Sequence, residues 1–81
     1  MINDQASWRS RIVVDPRVCN GKPVVRGTRI TVQTVLEFLS AGDTPQDILD
    51  QYPSLTADDI QACLAAAAEL MNHHYSLAHS G

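Results

Sequence analysis

Three sets of residues in this chain could do chemistry. They are the histidines His73, His74 and His79, the cysteines Cys19 and Cys63, and the run Gly21-Lys22-Pro23-Val24-Val25-Arg26-Gly27-Thr28-Arg29. Adjacent residues on a helix do not face one site, and no cysteine or acid completes a tetrahedral set around His73 and His74. No metal site is expected, and the C-terminal histidines read as a solvated tail. Gly21-Lys22 is not a phosphate loop. That motif needs a glycine five residues before its Gly-Lys pair and a Ser or Thr after the lysine, where Pro16 and Pro23 stand. No histidine falls in a segment that would form a pocket, so no catalytic residue, cofactor or enzyme activity is expected. Two cysteines make no disulfide framework and read as small buried hydrophobes.

The cations remain. All six basic residues, Arg9, Arg11, Arg17, Lys22, Arg26 and Arg29, lie before position 30. Residues 1–30 hold only Asp4 and Asp15 as acids, so this part carries a net +4. Residues 31–81 hold Glu37, Asp43, Asp47, Asp50, Asp58, Asp59 and Glu69 with no Lys or Arg, a net −7. Lys22, Arg26, Thr28 and Arg29 are the candidate nucleic-acid-binding residues, because arginine forks and backbone N–H groups beside a glycine turn suit phosphates. In an extended arm Val24 and Arg26 share one face and Val25 takes the other, which turns at least one arginine outward. The competing explanation stays open: the same cations could pair with the acidic half and fasten the arm to it, within one chain or between two.

The elements that must position these residues follow from periodicity and punctuation. Residues 1–9 are polar and without period. Arg11-Ile12-Val13-Val14-Asp15 is β-branched and short, a strand that Pro16 ends. Asn20-Gly21 is a turn, since both residues tolerate positive φ. Pro23-Val24-Val25-Arg26 is a second short strand, at an edge or beginning at Pro23, which has no N–H for a ladder. Gly27 breaks it. Val32, Val35, Leu36 and Leu39 then follow the helical spacing i, i+3, i+4, i+7, with Thr31 as cap and Gly42 past the end. Thr44-Pro45-Gln46-Asp47 starts a second helix and Pro53 stops it. Thr56-Ala57-Asp58-Asp59 starts a third, whose apolar positions are Ile60, Cys63, Leu64, Ala67, Leu70 or Met71, and Tyr75. The helices are expected at about 32–41, 45–51 and 57–75.

The expected fold is mainly α: a short N-terminal β-arm or hairpin over 11–30, followed by a three-helix, helix-turn-helix core of homeodomain-like type. A flexible N-terminus over 1–10 would precede one domain over 11–81. At 81 residues, 44% hydrophobic and 19% charged, the composition excludes a disordered chain, a collagen and a coiled-coil rod. A domain this small buries only about 60% of its unfolded surface. The long third helix and an unpaired strand edge therefore predict a homodimer. The longest apolar run, Ala62 to Ala68, is far short of the roughly 20 residues of a membrane span. With no apolar leader at the start, the expectation is a cytoplasmic protein with no membrane partner.

Arg11-Ile12-Val13-Val14-Asp15-Pro16, Cys19 through Ile30, Ala41-Gly42-Asp43-Thr44-Pro45, Tyr52-Pro53-Ser54-Leu55-Thr56 and Asp59-Ile60 together resemble the DUF433 family over about residues 11–70. Gly21 through Arg29 is the most specific part. Thr31 departs from the commoner pattern, where proline is frequent, but threonine still caps a helix. The resemblance implies a small prokaryotic protein with a winged or homeodomain-like helical core. It also implies an antitoxin-like role, neutralising a PIN-like nuclease toxin partner and binding DNA. The other expectation is a homo-oligomeric interaction or assembly module with no nucleic-acid role. The residues of the third helix argue against the usual helix-turn-helix chemistry, since Ala57-Asp58-Asp59 would bring carboxylates to phosphates.

Overall fold

The fold is held together by threonines at three helix starts. Thr31 accepts the Thr34 N–H at 3.0 Å and opens α1, Val32–Ser40. Thr44 accepts the Asp47 N–H while the Asp47 carboxylate takes the Thr44 N–H at 2.9 Å. This reciprocal box, with Pro45 in the first turn, opens α2, Pro45–Gln51. The two bonds from Thr44 hold the Asp47 carboxyl below its usual range. Thr56 and Asp59 make the same exchange, at 3.2 and 2.9 Å, and open α3, Ala57–His74.

The computed structural model describes residues 8–74. Residues 8–11 form a helical turn, and Trp8 packs, half-buried, against the core. The flexible N-terminus expected over 1–10 therefore gives way to structure at Trp8, because an indole is too much apolar surface to leave in water. β1, Ile12–Val13, pairs antiparallel with β2, Val24–Val25, in the register Ile12 with Val25 and Val13 with Val24. The Thr28 N–H then donates to Val25 O across a turn holding Gly27 at φ +80°. A bridge from Val24 to Thr31 extends the ladder toward α1. Thus β2 is flanked on both sides, and Val24 and Val25 are each 2% exposed.

The architecture is mainly helical with a short two-stranded hairpin. Val25, Val32, Val35, Ile48, Leu55, Ile60, Ala62, Cys63 and Ala66 share one core with Ile12 at its margin. Burial pushes the Cys63 thiol up to about 11, with the Asp59 charge adding to it. No helix among the described residues is long and apolar enough to cross a membrane.

The face of α3 differs from expectation. Leu64 is 41% exposed, and Leu70 and Met71 more so. Ile60 and Cys63 are buried as expected, and Ala62 and Ala66 complete the buried face in place of Leu64 and Ala67. Small side chains at 62, 63 and 66 let α1 approach closely, and this turns Leu64 aside. Leu36 is half-buried. Tyr75 lies outside the described residues.

Ile60→Ala should cost about 2–5 kcal/mol. Leu64→Ala should cost about 1 kcal/mol or less. Urea unfolding of both variants beside the parent checks the ranking, and equal losses would place Leu64 in the core.

Candidate nucleic-acid interface

Two turns build the basic surface. The first is Cys19–Gly21, where Cys19, Asn20 and Gly21 all take positive φ, at 50°, 59° and 80°. Gly21 meets only ordinary contact from Pro16, so its φ is what calls for glycine. The Asn-Gly pair announced this turn; the left-handed Cys19 had no signal in its residue type. The Cys19 thiol donates to Arg29 O at 3.3 Å, which ties the first turn to the second. Lys22 follows the first turn and Arg29 ends the second. The second turn runs from Val25 to Ile30. Its internal tie is Thr28, whose hydroxyl donates to Val25 O at 2.8 Å and accepts the Ile30 N–H at 3.0 Å.

Of the four sequence candidates, Lys22, Arg26 and Arg29 are exposed and Thr28 is half-buried. Thr28 shapes the second turn with both functions of its hydroxyl. Arg26 is held at its inner end: its backbone N–H donates to Arg11 O at 2.7 Å and its Nε to Ser10 O at 2.7 Å. No carboxylate among the described residues lies within 4.0 Å of Lys22, Arg26 or Arg29.

The other arginines do pair with acids. Arg11 reaches Asp59 at 3.0 Å and Asp58 at 3.5 Å. Arg9 lies 4.0 Å from Glu69 and 4.7 Å from the centre of the Trp8 ring. Arg17 grips Asp15 through Nε and Nη2, both at 3.1 Å, and through its backbone N–H at 2.9 Å. These bonds hold the Asp15 carboxyl below its ordinary range. Asp15 and Arg29 line one groove with Val13, Val18, Val24, Gly27 and Thr28. With Asp15 neutralised by Arg17, the unpaired charge on that groove is positive.

The two explanations for the basic run therefore divide between different residues. Arg9 and Arg11 fasten the N-terminal segment to α3. Lys22, Arg26 and Arg29 have only solvent-facing charge to offer. Asp58 and Asp59 at the start of α3 turn toward Arg11. Sequence reasoning kept such a clamp open for the basic half as a whole but did not single out Arg11 and Asp59, which lie 48 residues apart. His73 and His74 end α3, and His79 lies outside the described residues. Among the described residues no three His, Cys, Asp or Glu side chains gather as a metal site.

Comparison with known proteins gives a consistent frame. A family model described as "Protein of unknown function (DUF433)" matches residues 12–67. The crystal structure of a DUF433 member protein from Anabaena variabilis superposes with a TM-score of 0.69 at 28% identity, covering 94% of this chain and 71% of that one. The uncharacterized protein y4eO of Sinorhizobium fredii is 37% identical over 60 residues, 74% of this chain and 27% of that protein. This chain thus spans about a quarter of the length of that relative.

Arg11→Met should destabilise the fold by about 1–3 kcal/mol, because it strips a charged partner from a buried carboxylate. Lys22→Ala and Arg29→Ala should change stability by about 0.5 kcal/mol or less. Thermal unfolding of the three variants tests this division, and an Arg11→Met protein as stable as the parent would remove the clamp from the account.

Proposed function

This chain belongs to the DUF433 family, and on that premise we propose that it is an antitoxin-like regulatory binding protein that contacts DNA through its β-arm. The observation carrying this reading is the set of cations left over after folding. Lys22, Arg26 and Arg29 sit exposed on two linked turns with no carboxylate among the described residues in reach, whereas Arg9, Arg11 and Arg17 are taken up by acids. Guanidinium and ammonium groups so placed suit the phosphate backbone. The neutralising of a PIN-like nuclease partner is the part of the reading that the family resemblance supplies.

In a helix-turn-helix reading of the core, α3 would be the recognition helix. The charges support the arm instead. α3 has no lysine or arginine of its own, and the arginines beside it, Arg9 and Arg11, are engaged by Glu69, Asp58 and Asp59, so its surface offers a polyanion no unpaired cation. Base discrimination would be weak unless an arginine reaches a guanine edge.

Binding of duplex DNA from upstream of the protein's own reading frame, followed against salt, tests the proposal. Lys22→Ala, Arg26→Ala and Arg29→Ala should each lower the magnitude of the salt slope by about one, with Asp58→Ala leaving it unchanged. Arm variants that bind like the parent would sink it.

A second reading, a homo-oligomeric assembly module with no nucleic-acid role, is favoured by Leu64, Leu70 and Met71. They leave α3 with apolar surface 41–60% exposed. Under that reading the parent sediments as a dimer at tens of micromolar and Met71→Glu as a monomer. A monomeric parent counts against it.

A further inference from the structure

We propose that the groove between the ends of α1 and α2 is a docking site for an arginine or lysine side chain offered by a basic protein segment. The groove is lined by Thr34, Glu37, Phe38, Ala41 and Tyr52 and encloses about 320 Å³, room for one long side chain. It lies apart from the β-arm and does not depend on the nucleic-acid reading.

Four features converge on a cation. Phe38 and Tyr52, both half-buried, pack edge to face with ring centres 5.9 Å apart and planes at 66°, and both rings border the groove. Aromatic faces attract ammonium and, still better, guanidinium groups. Ala41 is the C-terminal cap of α1 and Tyr52 that of α2, so two helix C-termini meet at this place. Each carries a partial negative charge that a cation offsets. Neither helix has a basic residue in its last turn. On the rim stands the exposed Glu37 carboxylate, whose one recorded partner is the neutral Gln33 amide at 3.1 Å. The Asp43 N–H closes the end of α1 on Phe38 O at 3.0 Å.

The described residues supply no cation to satisfy them. No lysine or arginine occurs after Arg29, and no basic side chain among the described residues lies within 4.0 Å of Glu37 or Asp43. The charge of the groove therefore selects the occupant. A polyanion is repelled, and a neutral apolar side chain would leave the Glu37 charge and the negative ends of both helix dipoles without a cation to offset them. An arginine lays its stem on the rings and its fork on Glu37.

The test is a titration of the isotopically labelled full chain, followed by amide resonances, with a glycine–arginine repeat peptide. The same peptide with citrulline for arginine serves as the neutral isostere. The expected result is saturable shifts at Phe38, Ala41 and Tyr52 with the arginine peptide and none with citrulline. Glu37→Gln, an exposed change that spares the fold, should weaken binding at least fivefold. Ala41→Trp, filling the groove from an exposed position, should abolish it. Lys22→Ala and Arg29→Ala should bind the peptide like the parent. Equal shifts with citrulline, or parental affinity in both Glu37→Gln and Ala41→Trp, would overturn the proposal. So would a parent chain that self-associates through this groove and is released by Lys22→Ala with Arg29→Ala, since the occupant would then be a second copy.

Discussion

Asp59 is the one buried charged or polar residue among those described, 7% exposed in the first turn of α3. A carboxylate so far from water must be surrounded by donors, or its burial costs more than a fold of this size can offset. Two residues supply those donors. Thr56 gives its N–H at 2.9 Å and takes the Asp59 N–H in return, which starts the helix. Arg11, 48 residues earlier, gives Nη1 at 3.0 Å. One side chain thus caps the longest helix and fixes the segment leading into β1 upon it. The exposed Asp58, 3.5 Å from the same guanidinium, adds little, since charge pairs open to solvent are worth a fraction of a kcal/mol.

The geometry of the arm depends on that junction. β1 and β2 are two residues each, too short to persist as an isolated hairpin. They persist because Ile12 and Val25 join the core and because Arg11 is held from both ends. Its guanidinium is bound to Asp59, and its carbonyl accepts the Arg26 N–H. Arg26 therefore stands one residue and one hydrogen bond from the clamp on α3. Its guanidinium is directed by an anchored backbone and a bond from Nε to Ser10 O. Exposed cations on a fixed frame lose less freedom on meeting a phosphate than cations on a loose tail.

The helices were legible in the sequence, and the faces less so. Thr31, Thr44 and Thr56 announce three starts, and the observed helices begin at Val32, Pro45 and Ala57. Caps are local chemistry, and local chemistry is what a sequence displays directly. The strand segments were also readable from β-branched runs, although their pairing shrank to two residues apiece. The buried stripe of α3 was harder. Leucine at 64 outweighs alanine at 62 or 66 on any hydrophobicity scale, yet the close approach of α1 selects the small residues. The candidate cations were visible by type, but which would be consumed internally was not. That partition is decided by contacts 47 to 60 residues apart, Arg11 with Asp58 and Asp59 and Arg9 with Glu69. Thr28, singled out by its basic neighbours, also ties the turn through its hydroxyl, a role its position in the sequence did not display.

The uneven distribution of charge along the chain becomes a polarity in space. Arg29 stands two residues before the α1 cap, and the groove runs along that helix past Thr34, Glu37 and Phe38 to Ala41 at its other end. The α1 dipole runs the same way, its positive end toward the cations and its negative end toward the carboxylates. Nine helical residues separate the two ends by about 14 Å. At physiological ionic strength charges in solvent are largely screened beyond about 8 Å. A polyanion at the arm and a cation at the groove would therefore scarcely feel each other through the solvent. Any coupling between them has to run through the packed path that joins them, from the Val24–Thr31 bridge into the buried Val32 and Val35 of α1. Those residues are among the least exposed in the fold, and a close-packed core transmits a shift more readily than it absorbs one. The short first helix is then both the spacer between the two charged ends and the packed element that joins them.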